Sequence, residues 1–418
     1  MMARIRAHYR WVILLCAMIM TACSTGLLSY FNALFLEPVT AALGLDRAAF
    51  VLYSTFSTIT TMICMPVAGV IYKRLPMKPL ILFGTLCGAG ALFTYSISTT
   101  VYGFYLGGVL AGIGTCFFGG LPMTLVINRW FVKKRGTMTG IGFMGSAFIS
   151  FAMSPVVSAM IETKGHAYVY RFLGWLLLAL MVGMTLLLLR TTPEEMGLTA
   201  YGAGTDEPPQ RDLSGFSRAQ VLKMPAFWLF ALGTFLLGLV TFGTQSHLIA
   251  YWGSVGVDPV SAAGLYSAVM LASAVSKIGL GGLYDRLGVA KGTAGICGVA
   301  VASLFGLTFI RSGWALIIPA VLFGFMTSLQ VLTTSYLAVR LFGEKDYSSI
   351  FGLLNTVLFC GVSAGVPLSA LIFQYTGSYR PAWILYGLFM AACLILMLAA
   401  NRSSRRAFHT CFGVDRAD

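Results

Sequence analysis

One lysine stands alone in an apolar run. Between Ser261 and Tyr284 the only charged residue is Lys277, and the run ends in Gly281-Gly282-Leu283-Tyr284-Asp285-Arg286-Leu287-Gly288. A stretch that long and that apolar predicts a helix crossing a bilayer, and the helical rise sets Lys277 about 12 Å in from the charged end. Ionisable groups at such depth mark ligand or ion pathways. Helical spacing adds Tyr266, Met270, Ser273, Gly281 and Tyr284 to the same stripe. A cation, a hydroxyl and two phenols are the chemistry of a wall that takes an anion. The alternative is that Lys277 runs its four-carbon stem to the headgroups as an anchor. A lysine binds a carboxylate as a compact point charge and can lose its proton when desolvated.

Other polar residues at membrane depth are Ser24, Tyr30 and Asn32, then Gln245 and His247, then Gln330 and Tyr336, and Asn355. For each, an interhelical hydrogen bond is the alternative to a ligand contact, and His247 is close enough to a span end to be interfacial. All fourteen acidic residues fall in loops or at span ends, Glu37 nearest to the membrane. No carboxylate is therefore left to carry a coupling proton through the core. The nine cysteines are scattered without a Cys-x-x-Cys pair, which argues against a disulfide framework or a metal site. No cofactor and no metal are expected. Gly140-Ile141-Gly142-Phe143-Met144-Gly145 matches a dinucleotide fingerprint, but no strand precedes it and it lies inside an apolar helix. A membrane-bound hydrolase or acyltransferase would need clustered His, Asp or Glu, and the four histidines are far apart.

The elements that must position these groups follow from composition. The 418 residues are 58% hydrophobic and 10% charged, with a mean hydropathy of +0.83, which describes a polytopic membrane protein. Charged, Gly or Pro clusters divide the chain into twelve spans: 11–36, 48–72, 79–98, 101–128, 137–161, 167–190, 225–252, 260–284, 292–311, 313–340, 347–375 and 379–401. The one long polar stretch, with Pro193, Pro208 and Pro209, joins two six-helix halves. The expected organisation is a bundle over 1–190, a linker over 191–223, a second bundle over 224–401 and a tail over 402–418. Arg4, Arg6 and Arg10 precede the first apolar run as in a secretory signal, but that run continues to Leu36, too long for a signal core. An uncleaved first helix is expected. The pairs Gly84/Gly88, Gly108/Gly112, Gly136/Gly140 and Gly361/Gly365 are expected to let helices approach closely.

The net charge of +14 is concentrated at span ends, so it reports topology and not affinity for nucleic acid. One side holds 22 of the 28 basic residues, among them Lys73, Arg74, Arg129, Lys133 to Arg135, Arg286, Arg340 and Arg402 to Arg406; the other holds Arg47, Lys164, Arg171, Arg311 and Arg380. Both termini are expected in the cytoplasm. The halves also repeat one another. Gly69 to Leu75 aligns with Gly281 to Leu287 at an offset of 212, and Arg129, Phe131 and Lys134 align with Arg340, Phe342 and Lys345 at 211. A parallel repeat of six helices is an architecture of secondary transporters. Lys277 has no counterpart, its aligned position being Met65.

With these residues in view, the chain resembles the major facilitator superfamily. The Gly-x-x-Tyr-Asp-Arg-x-Gly stretch is similar to that superfamily's signature, its first copy degenerate, with Lys73 where an acid is expected and Pro76 where a glycine is. Asn128-Arg129-Trp130-Phe131-Val132-Lys133-Lys134-Arg135-Gly136, Thr192-Pro193-Glu194-Glu195-Met196-Gly197, Ala226-Phe227-Trp228 and Thr376-Gly377-Ser378-Tyr379 resemble the monocarboxylate porter and oxalate/formate exchanger group.

The resemblance implies an all-α integral membrane fold of twelve transmembrane helices in two pseudo-symmetric six-helix bundles, multi-pass in the cell membrane. It implies that spans 1, 4, 7 and 10 line a cavity, which makes Tyr30, Gln245 and His247 candidate contacts beside Lys277, Ser273 and Asn355. It implies that a cation on the eighth span binds a substrate carboxylate. A second cation, expected on the eleventh span of oxalate exchangers, is missing from Tyr347 to Tyr375, which favours a single carboxylate. Asp285, Arg286, Arg74 and Arg135 become gating latches; the alternative is orientation signals in loops. The partners so implied are a small carboxylate, a coupling proton or counter-anion and the bilayer. Alternating access of the halves would carry the anion, with Lys277 coupling by proton uptake or by exchange. A major facilitator exporter of drugs or other hydrophobic compounds is the competing function.

Overall fold

The computed structural model describes residues 2–202, 215–310 and 314–412. Pro208, Pro209, Arg311, residues 413–418 of the expected tail and the side chains of Arg4 and Arg6 lie outside the described residues. Eleven described helical segments are long and apolar enough to cross a membrane. They are α1 (Tyr9–Tyr30), α2 (Ala49–Arg74), α3 (Met77–Ile97), α4 (Val101–Trp130), α5 (Arg135–Lys164), α6 (His166–Leu188), α7 (Pro225–Gln245), then Gly264–Phe309, and α10 (Trp314–Phe342), α11 (Tyr347–Thr376) and α12 (Arg380–Phe412). Gly264–Phe309, at 46 residues, is about 70 Å long, more than twice a hydrocarbon core. It is broken at Gly288, whose φ of 78° and ψ of 176° leave the helical region, a backbone position that suits a residue without Cβ. The parts before and after the break, 259–287 and 289–309, are α8 and α9, so the twelve expected crossings are present.

The chain forms two compact units, Met1–Gln210 and Arg211–Asp418, with their boundary inside the expected linker. Helix ends follow local chemistry. Asp46 caps the second helix by accepting from the Ala49 N–H at 2.8 Å, and Asp258 caps α8 by accepting from the Ser261 N–H at 3.0 Å. Pro225 and Pro259 stand in the first turns of α7 and α8, where the missing N–H is not needed. Gly44 and Gly377 end helices in the left-handed conformation.

Several boundaries differ from the periodic reading. The first span is α-helical only to Thr21, continues as a π-helix over Ala22–Tyr30, and resumes as Asn32–Leu43. Its small residues, Ala22, Ser24, Thr25 and Gly26, tolerate the wider turn, a rare element that is frequent at functional sites. α4 is interrupted at Gly119 (φ −90°, ψ −136°). The seventh span stops at Gln245, and the helix restarts at Leu248. The last helix does not stop at 401 but runs to Phe412, so residues 402–412 of the expected tail are helical.

In the first unit α4 packs on α2 and α3, α3 on α6, and α1 on α5; in the second, α7 packs on α11 and α12, and the α8–α9 helix on α10 and α12. Close approach rests on glycine. A Cβ on Gly361 would overlap the Phe235 carbonyl oxygen, and one on Gly365 the Leu239 carbonyl oxygen, so α7 and α11 touch backbone to backbone. Gly108 and Gly112 do the same against Tyr53 and Ser57 where α4 meets α2. In lipid no hydrophobic force drives helices together, and such backbone contact is how they gain packing energy.

Gly361→Leu is therefore expected to separate α7 from α11 at a cost of about 1–3 kcal/mol or more, seen as loss of the monodisperse peak on size-exclusion chromatography. Gly279→Leu is the matched control, because Gly279 is exposed and a Cβ there meets nothing within 4 Å. It should leave the peak unchanged.

Candidate functional site

The face of α8 that carries Lys277 is the inward one. Leu271 and Val275 are 64% and 56% exposed and mark the lipid side, whereas Lys277, about 200° round the helix from Val275, is 3% exposed. Ser273, Ser276 and Tyr284 are also buried on that side. An anchor running its stem to the headgroups would leave the side chain substantially exposed, and this one is not. No hydrogen bond or ion pair joins Lys277 to another of the described residues. A buried ammonium without a counter-charge costs several kcal/mol.

α10 builds the wall beside it. Ser276 Oγ donates to the Gly324 carbonyl at 3.3 Å, and a Cβ on Gly324 would press on Ala272 and the Ser273 N–H, so the two helices are in contact one turn from Lys277. Thr327 Oγ1 lies 2.6 Å from Ser273 Oγ and 2.7 Å from the Gly324 carbonyl oxygen. Each hydroxyl has one proton. The three groups are satisfied together when Thr327 donates to the carbonyl and Ser273 donates to Thr327. Ser273 then keeps lone pairs, which suit an ammonium better than a carboxylate.

Two turns further along α8, Tyr284 locks the end of the site. Its phenol lies 2.9 Å from Thr333 Oγ1 of α10 and 3.3 Å from Thr293 Oγ1 of α9, and its ring stacks on Tyr336 with centroids 5.1 Å apart. Arg340 lies over the other end of this stack, donating to Tyr336 Oη at 3.3 Å. The first unit repeats the device. Tyr72, aligned with Tyr284 at the offset of 212, donates its phenol proton to the Phe117 carbonyl of α4.

The remaining expected residues are dispersed. Gln245 Nε2 donates to Tyr266 Oη at 3.4 Å, but Tyr266 is eleven residues, about 16 Å, along α8 from Lys277. His247 occupies the break after α7, where Nε2 faces the Val366 carbonyl at 3.1 Å and Nδ1 faces Tyr379 Oη at 3.3 Å. Both ring nitrogens are thus engaged by α11 and the start of α12. Asn355 of α11 is buried and donates to the Phe351 carbonyl one turn back at 2.9 Å. Tyr30 is 41% exposed at the end of the π-helical segment of the first unit.

Among the latch candidates, Asp285 is half-buried, and Arg286 and Arg74 are exposed at their helix ends. Arg135 turns back on α4, donating to the Phe131 carbonyl at 3.0 Å and the Asn128 carbonyl at 3.1 Å, where a cation meets the negative end of a helix.

Thr327, Thr333 and Tyr72 were not among the expected site residues, although the hydroxyl runs Thr327-Ser328 and Thr333-Thr334-Ser335 and the repeated tyrosine were open to view. The linker's anchorage was also missed. In the first unit Tyr201 donates its N–H to the Trp130 carbonyl at 2.8 Å and accepts from the Val132 N–H at 2.9 Å. In the second, the Phe216 N–H donates to the Phe342 carbonyl at 3.0 Å, and the Arg218 N–H to Asp346 Oδ2 at 2.7 Å. Phe131 and Phe342 are repeat equivalents, so each end of the linker docks on the same loop of its own unit.

Two six-helix units related by an internal repeat, one of them holding a lone buried cation, define a helical transporter architecture. The comparisons place it further: the sequence model of the Major Facilitator Superfamily matches residues 13–318 and 259–409. The chain belongs to that superfamily. Human monocarboxylate transporter 12 is 24% identical over 414 residues, covering 93% of this chain and 79% of the relative. The fujikurins efflux protein of Gibberella fujikuroi is 25% identical over 364 residues, covering 82% and 70%. Among solved structures, a variant of the E. coli fucose:proton symporter superposes with a TM-score of 0.69 at 17% identity, covering 93% of this chain and 98% of that one. At that identity the likeness concerns the fold.

The Ser273–Thr327 pair is expected to act as a unit. Ser273→Ala and Thr327→Val should each lower the thermal midpoint of the detergent-solubilised protein, consistent with a net loss of roughly 0.5–1.5 kcal/mol. The double variant should lower it little further; additive shifts would show that the hydroxyls do not pair.

Proposed function

We propose that the protein carries a small organic anion with one carboxylate across the cell membrane by alternating access, with Lys277 as the group that receives it. The observation that carries this reading is the burial of Lys277 beside a hydroxyl-lined wall with no protein carboxylate against it among the described residues. A substrate carboxylate supplies the missing counter-charge. The names of relatives such as human monocarboxylate transporter 12 support the same substrate class. In this scheme Ser273, paired with Thr327, lines the path beside Lys277 as a substrate contact. Asn355, Gln245, His247 and Tyr30 contribute polarity at other levels of the path. Asp285, Arg286, Arg74 and Arg135 latch helix ends that part when the units rock. The Lys/Arg bias puts both termini in the cytoplasm.

Coupling follows from the same charge. A protonated, empty Lys277 opposes passage through a closed state, because the bilayer interior penalises an unpaired ion. A carrier that keeps the proton must return loaded, which is anion exchange; a carrier whose empty-state lysine releases it takes up proton and anion together, which is symport. Export of a hydrophobic compound is the second reading, favoured by the similarity to the fujikurins efflux protein. It needs no obligatory cation.

The test is uptake of labelled lactate, pyruvate, formate and oxalate into proteoliposomes, with and without a pH gradient or internal counter-substrate. The parent is expected to take up a monocarboxylate saturably, with Lys277→Ala reducing uptake at least about a hundredfold, the loss of a charge-assisted contact worth roughly 3 kcal/mol. Lys277→Arg should retain part of it. Uptake by Lys277→Ala equal to the parent's would overturn the assignment, and substrate export indifferent to Lys277→Gln would favour the second reading.

A further inference from the structure

The last helix carries a basic face where no protein covers it. Along α12 the exposed residues Ile384, Leu388, Ala391 and Ile395 recur at helical spacing and form the lipid-facing line, with Leu388 and Ile395 59% and 67% exposed. The same line continues through Arg402, Arg406 and His409, all exposed. Arg402 lies eighteen residues, five whole turns, beyond Ile384, so it points in the same direction. The opposite face stays docked: Ala400, Ser404 and Phe408 are buried, and Phe408 meets Phe216 edge to face with centroids 4.7 Å apart. The extension is therefore held against the second unit with Arg402 and Arg406 turned to the lipid side.

Depth completes the argument. From Arg380 to Arg402 the helix rises about 33 Å, just past a hydrocarbon core of about 30 Å, and Arg406 is one turn further. Both guanidiniums thus fall in the headgroup layer, on the rim that faces lipid. A topology signal requires positive charge somewhere near the span end; it does not require that charge to follow the lipid-facing line. We infer that Arg402 and Arg406, flanked by His409, form a site for the phosphodiester headgroup of an anionic phospholipid. Guanidinium pairs such oxygens bidentately. Because the docked face reaches Phe216 at the linker's end, and Phe216 is bonded to Phe342 of α10, lipid held there steadies the same end of the unit as the Tyr284–Tyr336 stack. The site is independent of what the protein carries.

The test uses the full chain in nanodiscs with a fluorophore on the exposed Cys411, after replacement of the half-buried Cys64, Cys87 and Cys360 by alanine. Quenching is compared for nitroxide-labelled phosphatidylglycerol and for phosphatidylcholine with the same chains. Phosphatidylglycerol is expected to quench at about fivefold lower mole fraction, the scale of a single basic residue at an anionic surface. Arg402→Gln/Arg406→Gln should bring the ratio to one, and Arg402→Lys/Arg406→Lys should largely retain it. These exposed substitutions should leave the size-exclusion profile unchanged. Equal quenching by the two lipids in the parent, or a preference that survives in the glutamine variant, would overturn the proposal. So would loss of the preference on adding millimolar inorganic phosphate, which would make a free anion the ligand instead of lipid.

Discussion

A cation buried in an apolar bundle with no carboxylate beside it is unstable by itself, and Lys277 of the second unit is in that position. Lys277 is 3% exposed on the inward face of α8. The neighbouring hydroxyls are bound to backbone or to one another, so the wall offers it lone pairs but no counter-charge. In a soluble interior such an arrangement would be resolved by a paired acid. Here the described acidic residues of the second unit lie in loops or at helix ends, and in the proposed function a ligand fills the deficit.

The frame that holds this site rests on close backbone contact, joined in the helix middles by single side-chain bonds such as Thr21 to the Gly142 carbonyl and Thr61 to the Gly112 carbonyl. α7 and α11 meet through glycine, backbone against backbone, and so do α2 and α4 in the first unit. Tyrosine and histidine locks lie toward helix ends. Tyr284 ties α8 to α9 and α10, and Tyr72 ties α2 to α4 at the repeat-related place. At the other end of the second unit, His247, Tyr379, Tyr386 and Ser369 link the break after α7 to α11 and α12. Close-packed middles and locked ends suit bodies that move as wholes, since rigid units transmit motion without repacking their cores.

The fold was legible because its signals are local and redundant. Hydropathy runs separate the twelve crossings, and the repeat of Gly69–Leu75 in Gly281–Leu287 reveals the two halves. Lys277 was legible for a related reason: one charge in a long apolar run can hardly be missed. The contacts around it were less so, because hydroxyls on α8 and α10 fall in register only once the close approach at Gly324 is known. Breaks within helices were also hidden. Apolar periodicity passes through Tyr30, Gly119 and His247 without a change, while the backbone leaves the α-helix at each of these places. The extension of α12 to Phe412 was masked by Arg402, Arg405 and Arg406, which read as a polar tail although every fourth residue, from Ala400 to Phe408, is buried.

The central claim is that Lys277 is the receptor for a carboxylate, and ligand stabilisation tests it without assuming a direction of transport or a coupling ion. The measurement is the thermal midpoint of purified parent and Lys277→Gln across a panel of small carboxylates and their matched amides. Ligand that binds the folded state raises the midpoint in a concentration-dependent way. The account predicts that at least one monocarboxylate stabilises the parent, that its amide does not, and that Lys277→Gln responds to neither. Equal stabilisation of the parent and of Lys277→Gln by the same carboxylate would contradict it.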